Sequence, residues 1–247
     1  SEHTSFLMWC KKNVKELNVV EKRHYLAPKG RINPYHFVKV LFDKISPLTQ
    51  VITGDGTAAV VTFKAAKLKK GQRLYTNKGC ASMGYDLPAL IGALYAKNRL
   101  KKILITGDGS IMMNLQELSS LRPFGNEDIK IFVLNNDGYH SIRQSQNNYF
   151  DGFEVGCGED SNLFMPSFKK LAKAFDLKYI KVNSYQSLLN ALSNKEKCIK
   201  LIEVMLDKDQ GFEPRVASKE LSNGKMVSSP LEEMSPLLSR EEFLNRM

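Results

Sequence analysis

The stretch Lys102–Ser110, KILITGDGS, decides the fold class of this chain. Its first half is a continuous apolar run, as expected of a parallel strand that is covered on both faces. Its second half, Gly107-Asp108-Gly109-Ser110, places an acid between two glycines, which permit a sharp turn of the backbone. The stretch therefore predicts a buried strand with a polar turn at its carboxyl end.

Short apolar runs alternate with helical segments on both sides of this stretch. A further helix is predicted from Pro34, with Asn33 as its cap and apolar residues at helical spacing as far as Ile45. Strands separated by helices indicate right-handed βαβ units, so we predict an α/β fold with a doubly wound, mainly parallel sheet of about six strands and helices on both faces. The predicted strands are 50–53, 73–76, 102–106, 130–134, 178–182 and 200–205, and the helices between them are 57–68, 87–97, 113–121, 166–175 and 185–194.

The chain divides into three parts by sequence pattern. Residues 1–30 are polar and basic and are interpreted as a linker or arm. The regular pattern of strands and helices occupies residues 31–206. The tail, 207–247, contains scattered prolines and is expected to be extended chain that wraps the surface or a neighbour. The first residue is not Met, so we expect a trimmed chain or a fragment of a longer one.

The composition is that of a soluble globular protein. Hydrophobic residues make up 43% and charged residues 25% of the 247 positions. No apolar run is long enough to span a bilayer, and no signal peptide is visible. The four cysteines are scattered, which fits a reducing cytoplasm. The net charge of +10 would suit a nucleic-acid partner, but the lysines lie in short separate runs. We therefore expect a cytoplasmic protein that binds neither nucleic acid nor membrane.

Three predicted strands end in unusual polar turns: 54–57, 107–110 and 135–138. Ligands of doubly wound sheets bind beyond the carboxyl ends of the strands. Asp108, an amide oxygen of the Asn135-Asn136 pair and the carbonyl of Gly138 would leave Mg²⁺ with positions for diphosphate oxygens and water. Each motif alone is also a common turn. Their occurrence at the ends of successive strands, which are usually neighbours, favours a binding site.

These motifs carry a family resemblance. Gly107-Asp108-Gly109-Ser110 followed by Leu134-Asn135-Asn136 resembles the signature of thiamine diphosphate (ThDP) enzymes, and the chain is most similar to the acetolactate synthase and pyruvate decarboxylase family. Lys78–Ala93, KGCASMGYDLPALIGA, is similar to the family's segment beneath the cofactor rings. Asn135–Tyr139 resembles the metal turn of the decarboxylases. The resemblance covers roughly residues 30–206 and implies the ThDP-binding fold.

The resemblance implies a set of binding residues. Asp108, the side chain of Asn136 and the backbone carbonyl of Gly138 would be the metal ligands, whereas Asn135 would brace the turn. Met83 would wedge the cofactor into its bent form, although it could equally fill the core at a helix start. The implied cofactor-binding residues are Gly56, Thr57, Ala58, Ala81, Ser82, Met83, Gly107, Asp108, Gly109, Ser110, Asn136, Gly138, Tyr139 and Ile142.

The resemblance also implies an activity. The chain would be the C-terminal ThDP- and Mg²⁺-binding domain of an acetolactate synthase-like lyase or transferase, a carboligase that decarboxylates a 2-oxo acid such as pyruvate. Ile142 stands where decarboxylases carry a working Glu, which favours carboligation over release of an aldehyde. His140 is a candidate catalytic proton donor, although it could simply be a polar residue at a helix start.

The resemblance also implies partners that no stretch of this sequence resembles. The family's pyrimidine-binding domain, from the full-length chain or a second subunit, supplies a Glu to the cofactor, and no stretch here resembles it. We expect a homodimer or tetramer, weak ThDP–Mg²⁺ binding and no turnover by this chain alone. FAD is an option for the full-length enzyme, because its use depends on a middle domain.

Two rival interpretations explain less of the sequence. Gly54–Ala59 fits the G-x-G-x-x-A pattern of dinucleotide-binding domains, but no Asp or Glu occurs between Thr57 and Tyr85 to bind a ribose. A non-catalytic module with the same fold would not need both Asp108 and Asn136. Patterns of nucleophile elbows, P-loops and zinc proteases are absent from the sequence.

Overall fold

The structure is a computed structural model that describes residues 3–16, 18–96, 98–220, 223–236 and 238–246. Residues 1, 2 and 17 of the predicted arm and residues 221, 222, 237 and 247 of the predicted tail lie outside the described residues. The last residue of the predicted helix 87–97 does so as well. The chain forms two compact units, one of Val20–Gln210 and one of Ser1–Val19 with Gly211–Met247.

The larger unit contains one six-stranded sheet, and its neighbouring strands are all parallel. The strand order is β2-β1-β3-β4-β6-β5, so β1 and β4 lie on either side of β3. The six predicted strands are confirmed to within one residue at each end. The strands are β1 (Thr49–Thr53), β2 (Arg73–Tyr75), β3 (Lys101–Gly107), β4 (Ile129–Asn135), β5 (Lys178–Val182) and β6 (Ile199–Met205).

Helices cover both faces of this sheet, which confirms the predicted doubly wound α/β fold. On one face, Phe37 packs edge-on against Phe132 of β4, with ring centroids 5.4 Å apart. On the other face, Leu87 and Leu90 join Ile131 of β4 in the buried core. The helices of this unit are α2 (Pro34–Lys44), α3 (Thr57–Ala65), α4 (Asp86–Tyr95), α5 (Asp108–Met112), α6 (His140–Tyr149), α7 (Phe168–Ala174) and α8 (Tyr185–Ser193), with α1 (Thr4–Glu16) in the smaller unit.

Local sequence signals account for the start of α2 but not for the helix predicted after β3. Asn33 caps α2, because its side chain accepts a hydrogen bond from the amide of Tyr35 at 2.9 Å, and Pro34 begins the helix as predicted. The helix predicted at 113–121 is wrong: α5 starts directly after Gly107, and a separate 3₁₀ helix spans Leu115–Phe124. This second segment contains Pro123, which lacks the amide hydrogen that a continuous α-helix requires.

The smaller unit contains helices and strands that the sequence pattern did not predict. Its helix α1 has no buried residue among those described, and its strands β7 (Ser218–Glu220) and β8 (Met226–Ser228) pair in an antiparallel ladder. A short final helix, α9 (Arg240–Arg246), follows. Arg246 donates hydrogen bonds of 3.4 Å to the side chains of Asn13 and Glu16. No helix in the described ranges is long and apolar enough to cross a bilayer.

Candidate functional site

The three polar turns lie side by side because β1, β3 and β4 are neighbours in the sheet. Gly107 of β3 pairs with Leu134 of β4, which brings the turn after β3 next to the turn after β4. The turns enclose a cavity of about 140 Å³ lined by most of the predicted cofactor-binding residues. Its lining residues are Asp55, Gly56, Thr57, Met83, Gly107, Asp108, Gly109, Ser110, Asn136, Gly138, Tyr139, His140, Ser141 and Ile142.

Three predicted residues are not part of this lining. Ala58 is completely buried in the first turn of α3. Ala81 and Ser82 line a neighbouring cavity of about 450 Å³. Ala81 has a φ of +48°, a left-handed conformation that is uncommon for residues with a side chain and is often retained at functional sites. The predicted residues thus line two adjacent cavities rather than one, except Ala58, which lines neither.

Asp108 ties the turns after β3 and β4 together. Its carboxylate is buried and accepts hydrogen bonds from the backbone amides of Gly109 at 2.8 Å, Gly138 at 2.9 Å and Asn136 at 3.2 Å. Burial raises the pKa of Asp108 to about 6, while the three hydrogen bonds from backbone amides oppose this rise. A cation beside this carboxylate would stabilise its charged form.

Asn136 presents a buried oxygen without a partner. Its side-chain nitrogen donates a hydrogen bond of 3.1 Å to the hydroxyl of Thr57, which fixes the orientation of the amide. The side-chain oxygen, Oδ1, has no hydrogen-bond partner among the described residues. A buried acceptor in this state costs about 1–3 kcal/mol, so a cation or a donor at this atom would be stabilising.

Asn135 has the geometry of a brace. Its Oδ1 accepts a hydrogen bond from the amide of Asp137 at 3.0 Å, and its Nδ2 donates one of 2.6 Å to Glu203 on β6. Glu203 is itself held by the hydroxyl of Tyr179 on β5. Both ends of the first Asn side chain are therefore already bonded to the protein.

Two arginines hold the same turn from outside. Arg31 forms an ion pair of 2.5 Å with Asp137 and donates a hydrogen bond to the carbonyl of Leu206. Arg143 donates hydrogen bonds to the carbonyls of Asn136 at 3.1 Å and Asp137 at 2.9 Å. Neither arginine was predicted from the sequence, because neither belongs to a motif with a chemical signature.

Two glycines of the site are required by close contacts. A Cβ atom on Gly109 would lie 2.3 Å from a ring carbon of Tyr139. A Cβ atom on Gly138 would lie 2.2 Å from the carbonyl oxygen of Cys157, and Gly138 also has a φ of +122°. The carbonyl of Gly138 accepts a hydrogen bond of 3.1 Å from the amide of His140 and retains a second lone pair.

Comparison with known proteins identifies the family. Residues 51–204 match the family described as thiamine pyrophosphate enzyme, C-terminal TPP binding domain, where thiamine pyrophosphate is another name for ThDP. This chain belongs to that family. The predicted family resemblance is therefore confirmed, and the larger unit contains a ThDP-binding domain.

The most similar curated relatives include acetolactate synthases. The large subunit from Buchnera aphidicola subsp. Schizaphis graminum is 31% identical over 170 residues, which cover 68% of this chain and 29% of that protein. The large subunit from Lactococcus lactis subsp. lactis is 27% identical over 188 residues, which cover 75% of this chain and 32% of that protein. The chain thus spans about three tenths of the length of these relatives.

Three further side chains complete the cavity of this ThDP-binding domain. Met83 and Ile142 stand at its rim with 36% and 45% of their surface exposed, so apolar surface faces the open side of the cavity. His140 is buried at the start of α6. Burial and, to a lesser degree, the charge of Arg143 lower the pKa of His140, while hydrogen bonds to the backbone of Gln210 and Lys208 oppose this shift. On balance the neutral form of the imidazole is favoured.

The hydroxyl of Ser110, one of the predicted cofactor-binding residues, is bonded to other groups of the protein. It donates a hydrogen bond of 3.1 Å to Asp86 and accepts one of 3.0 Å from the amide of Gly84. The backbone amide is therefore the group through which Ser110 can contact a phosphate. Asp55 and Ser141 also line the cavity. Neither was predicted as a site residue, although each is next to one that was.

Proposed function

We propose that Val20–Gln210 binds ThDP through a Mg²⁺ ion held by Asp108, the side chain of Asn136 and the carbonyl of Gly138. One observation carries this proposal: the buried Oδ1 of Asn136 lacks a partner among the described residues, in the same cavity that contains the buried Asp108 carboxylate. A carboxylate, an amide oxygen and a carbonyl are the hard oxygen ligands that Mg²⁺ accepts, and they leave room for diphosphate oxygens and water.

The donor set argues against a metal held by protein side chains alone. No group of three His, Cys, Asp or Glu side chains that could hold a metal occurs within the described ranges. With only one carboxylate, the proposed site requires anionic oxygens from the ligand to balance the charge of Mg²⁺. This requirement fits a diphosphate, and Mg²⁺ commonly binds through one or two carboxylates plus substrate phosphates.

The diphosphate would be bound mainly by backbone amides. The nine-residue helix α3 begins at Thr57 beside the cavity, so its free amides and positive dipole end favour an anion. Gly56, at a φ of +62°, turns the chain into this helix, and Ala58 follows in the first turn. On the opposite side, the amides of Gly109 and Ser110 complete the binding set, with Gly107 in the turn before them.

The rings of the cofactor would lie against the apolar rim. The backbone of Ala81 and Met83 would bind the pyrimidine edge, with Ser82 between them. The side chain of Met83 would support the bent cofactor, and Ile142 and Tyr139 would cover its other side. The partial exposure of Met83 and Ile142 supports this role, because a bound ring system would bury their apolar surface.

When bound, ThDP would supply an electron sink for the decarboxylation of a 2-oxo acid. The protein's own part is to hold the cofactor and to manage protons. His140 lines the cavity and would act as a proton donor there, with its imidazole held by hydrogen bonds to the backbone of Gln210 and Lys208. The apolar Ile142 has no group that could protonate a carbon, which supports carboligation over aldehyde release.

The similarity to acetolactate synthases supports the proposal for the whole enzyme. We propose a cytoplasmic lyase or transferase that acts on a 2-oxo acid such as pyruvate, as a homodimer or tetramer completed by a pyrimidine-binding domain. FAD would depend on a middle domain of the full-length enzyme. Within this chain, residues 31–206 would be the cofactor-binding domain, 1–30 an arm and 207–247 a tail.

Calorimetry with ThDP and Mg²⁺ tests the site directly. We expect Mg²⁺-dependent binding of ThDP by this chain and its loss in Asp108→Ala. Asp43→Ala, on the exposed end of α2, is the matched control and should bind as the wild type does. Equal affinity of Asp108→Ala and the control would refute the metal site. Decarboxylation of pyruvate by this chain alone would refute the need for a partner domain.

A further inference from the structure

A second buried carboxyl lies beneath the proposed ThDP site. Asp86, the first residue of α4, is completely buried, and no Lys, Arg or His nitrogen of the described residues lies within 4.0 Å of its carboxyl oxygens. Its Oδ1 accepts a hydrogen bond of 2.9 Å from the amide of Leu87. Its Oδ2 accepts a hydrogen bond of 3.1 Å from the hydroxyl of Ser110. A buried carboxyl without a cation is costly, so it calls for an explanation.

The position of Asp86 leaves no room for a side chain on Gly54, which follows β1. A Cβ atom on Gly54 would lie 2.1 Å from Oδ2 of Asp86. The carboxyl therefore packs against the chain directly after β1 and at the same time binds the hydroxyl of Ser110, just after β3. A simple helix cap would use only the bond to Leu87, whereas the other oxygen of Asp86 reaches a different part of the site.

The contacts of Ser110 extend this connection to the segment under the cofactor rings. The Ser110 hydroxyl accepts a hydrogen bond of 3.0 Å from the amide of Gly84, and the carbonyl of Gly84 accepts one of 2.8 Å from the side chain of Asn114. Gly84 directly follows Met83. The position of Met83 relative to the turn after β3 is thus fixed by two bonds of Gly84, one of which involves the Ser110 hydroxyl.

We infer that Asp86 is a positioning residue that sets, through Ser110, the distance between the diphosphate-binding turn and the Met83 segment beneath the rings. This inference rests on the proposed function. Asp86 positions the hydroxyl by accepting a hydrogen bond from it, which leaves a lone pair of the Ser110 oxygen for the amide of Gly84. A ligand that touches both walls depends on this distance, whereas a ligand that touches only the turn does not.

Two ligands therefore separate a positioning role from a structural one. Binding of ThDP and of inorganic pyrophosphate, each with Mg²⁺, is measured by calorimetry for the wild type, Asp86→Ala and Asp86→Asn. Loss of a hydrogen bond such as that between Asp86 and Ser110 corresponds to roughly a tenfold change in affinity for a ligand that depends on it. We expect Asp86→Ala to bind ThDP about tenfold more weakly and to bind pyrophosphate within about twofold of the wild type. Asp86→Asn should recover most of the ThDP affinity, because its Oδ1 can still accept from the amide of Leu87 and its Nδ2 can donate to the Ser110 oxygen, which keeps a second lone pair for the amide of Gly84.

A double-variant comparison and a control complete the test. Ser110→Ala should match Asp86→Ala in its ThDP affinity, and the double variant should bind no more weakly than either single variant, because the two residues act as one unit. Asp128→Ala, which removes a carboxylate at the opposite end of the sheet, should leave ThDP affinity unchanged even if it lowers stability.

Three results would overturn this inference. Equal weakening of ThDP and pyrophosphate binding by Asp86→Ala would make Asp86 a structural residue of the turn. Unchanged ThDP affinity in Asp86→Ala would remove the positioning role and leave the proposed function standing. Failure of the wild type to bind either ligand would refute the proposed function itself, and the inference with it.

Discussion

The two adjacent asparagines at the end of β4, Asn135 and Asn136, should respond to alanine in opposite ways. Asn135→Ala removes a hydrogen bond of 2.6 Å to the carboxylate of Glu203 and one of 3.0 Å from the amide of Asp137. A hydrogen bond to a charged group contributes about 1.5–3 kcal/mol and a neutral one about 0.5–1.5 kcal/mol. We therefore expect the free energy of unfolding to fall by about 2–4 kcal/mol.

Asn136→Ala should cost much less stability. It removes a single neutral hydrogen bond of 3.1 Å to Thr57, a loss of about 0.5–1.5 kcal/mol. It also removes the buried Oδ1 that has no partner among the described residues, which relieves a desolvation cost of about 1–3 kcal/mol. The two effects nearly cancel, so the free energy of unfolding should stay within about 1 kcal/mol of the wild type. Mg²⁺-dependent ThDP binding should nevertheless be lost.

Urea unfolding and calorimetry on the same samples distinguish the two variants. Asn135→Ala should unfold at a lower urea concentration and retain measurable Mg²⁺-dependent ThDP binding, although more weakly than the wild type. Asn136→Ala should unfold near the wild-type midpoint and show no such binding. The opposite assignment, with Asn136→Ala strongly destabilised and still able to bind ThDP with Mg²⁺, would refute the roles of Asn135 as brace and Asn136 as ligand.

Three further predictions concern stability. Gly109→Ala should lower the melting temperature, because its Cβ would lie 2.3 Å from the Tyr139 ring and overpacking costs about 1–3 kcal/mol. Gly79→Ala is the control: its Cβ would meet nothing within 4 Å, so the melting temperature should not fall. Burial and a nearby lysine lower the pKa of His36, so the unfolded state takes up its proton first as the pH falls through about 6.5. Stability should therefore decline from pH 7.5 to 5.5 more in the wild type than in His36→Phe, as urea unfolding at both pH values can measure. Asp128→Ala leaves two buried lysines without their counter-ion and should lower the free energy of unfolding by about 3 kcal/mol in the same assay.

The sheet and the position of the site could be predicted from sequence because their signals are local. A continuous apolar run such as Ile103–Ile105 identifies a strand covered on both faces, and the turn residues that follow it mark its carboxyl end. Once strands alternate with helices, topology alone brings the ends of β3 and β4 together. The side chains of Asp108 and Asn136 are then enough to propose a cation site at these strand ends, without further structural information.

The residues that hold the site in shape carry no such signal. Arg31 is 106 positions from Asp137 in sequence, and Glu203 is 68 positions from Asn135. Neither pair can be recognised before the chain is folded, because a charged side chain on its own is most often solvated. Asp86 lies inside the family-like segment Lys78–Ala93, but its bond to Ser110 depends on the packing of α4 against β3.

The side-chain bonds that hold the turn after β4 affect how tightly a cation would bind there. Asp137 and Gly138 both have positive φ values, 60° and 122°, a backbone that is costly to maintain in succession. Arg31, Arg143 and Asn135 hold this backbone through side-chain bonds that need no ligand. Because the turn is already formed, little of the binding free energy of a cation would be spent on ordering it. Removal of the brace would thus weaken the binding of a cation by disordering the turn, whereas removal of Oδ1 of Asn136 would weaken it by deleting a ligand.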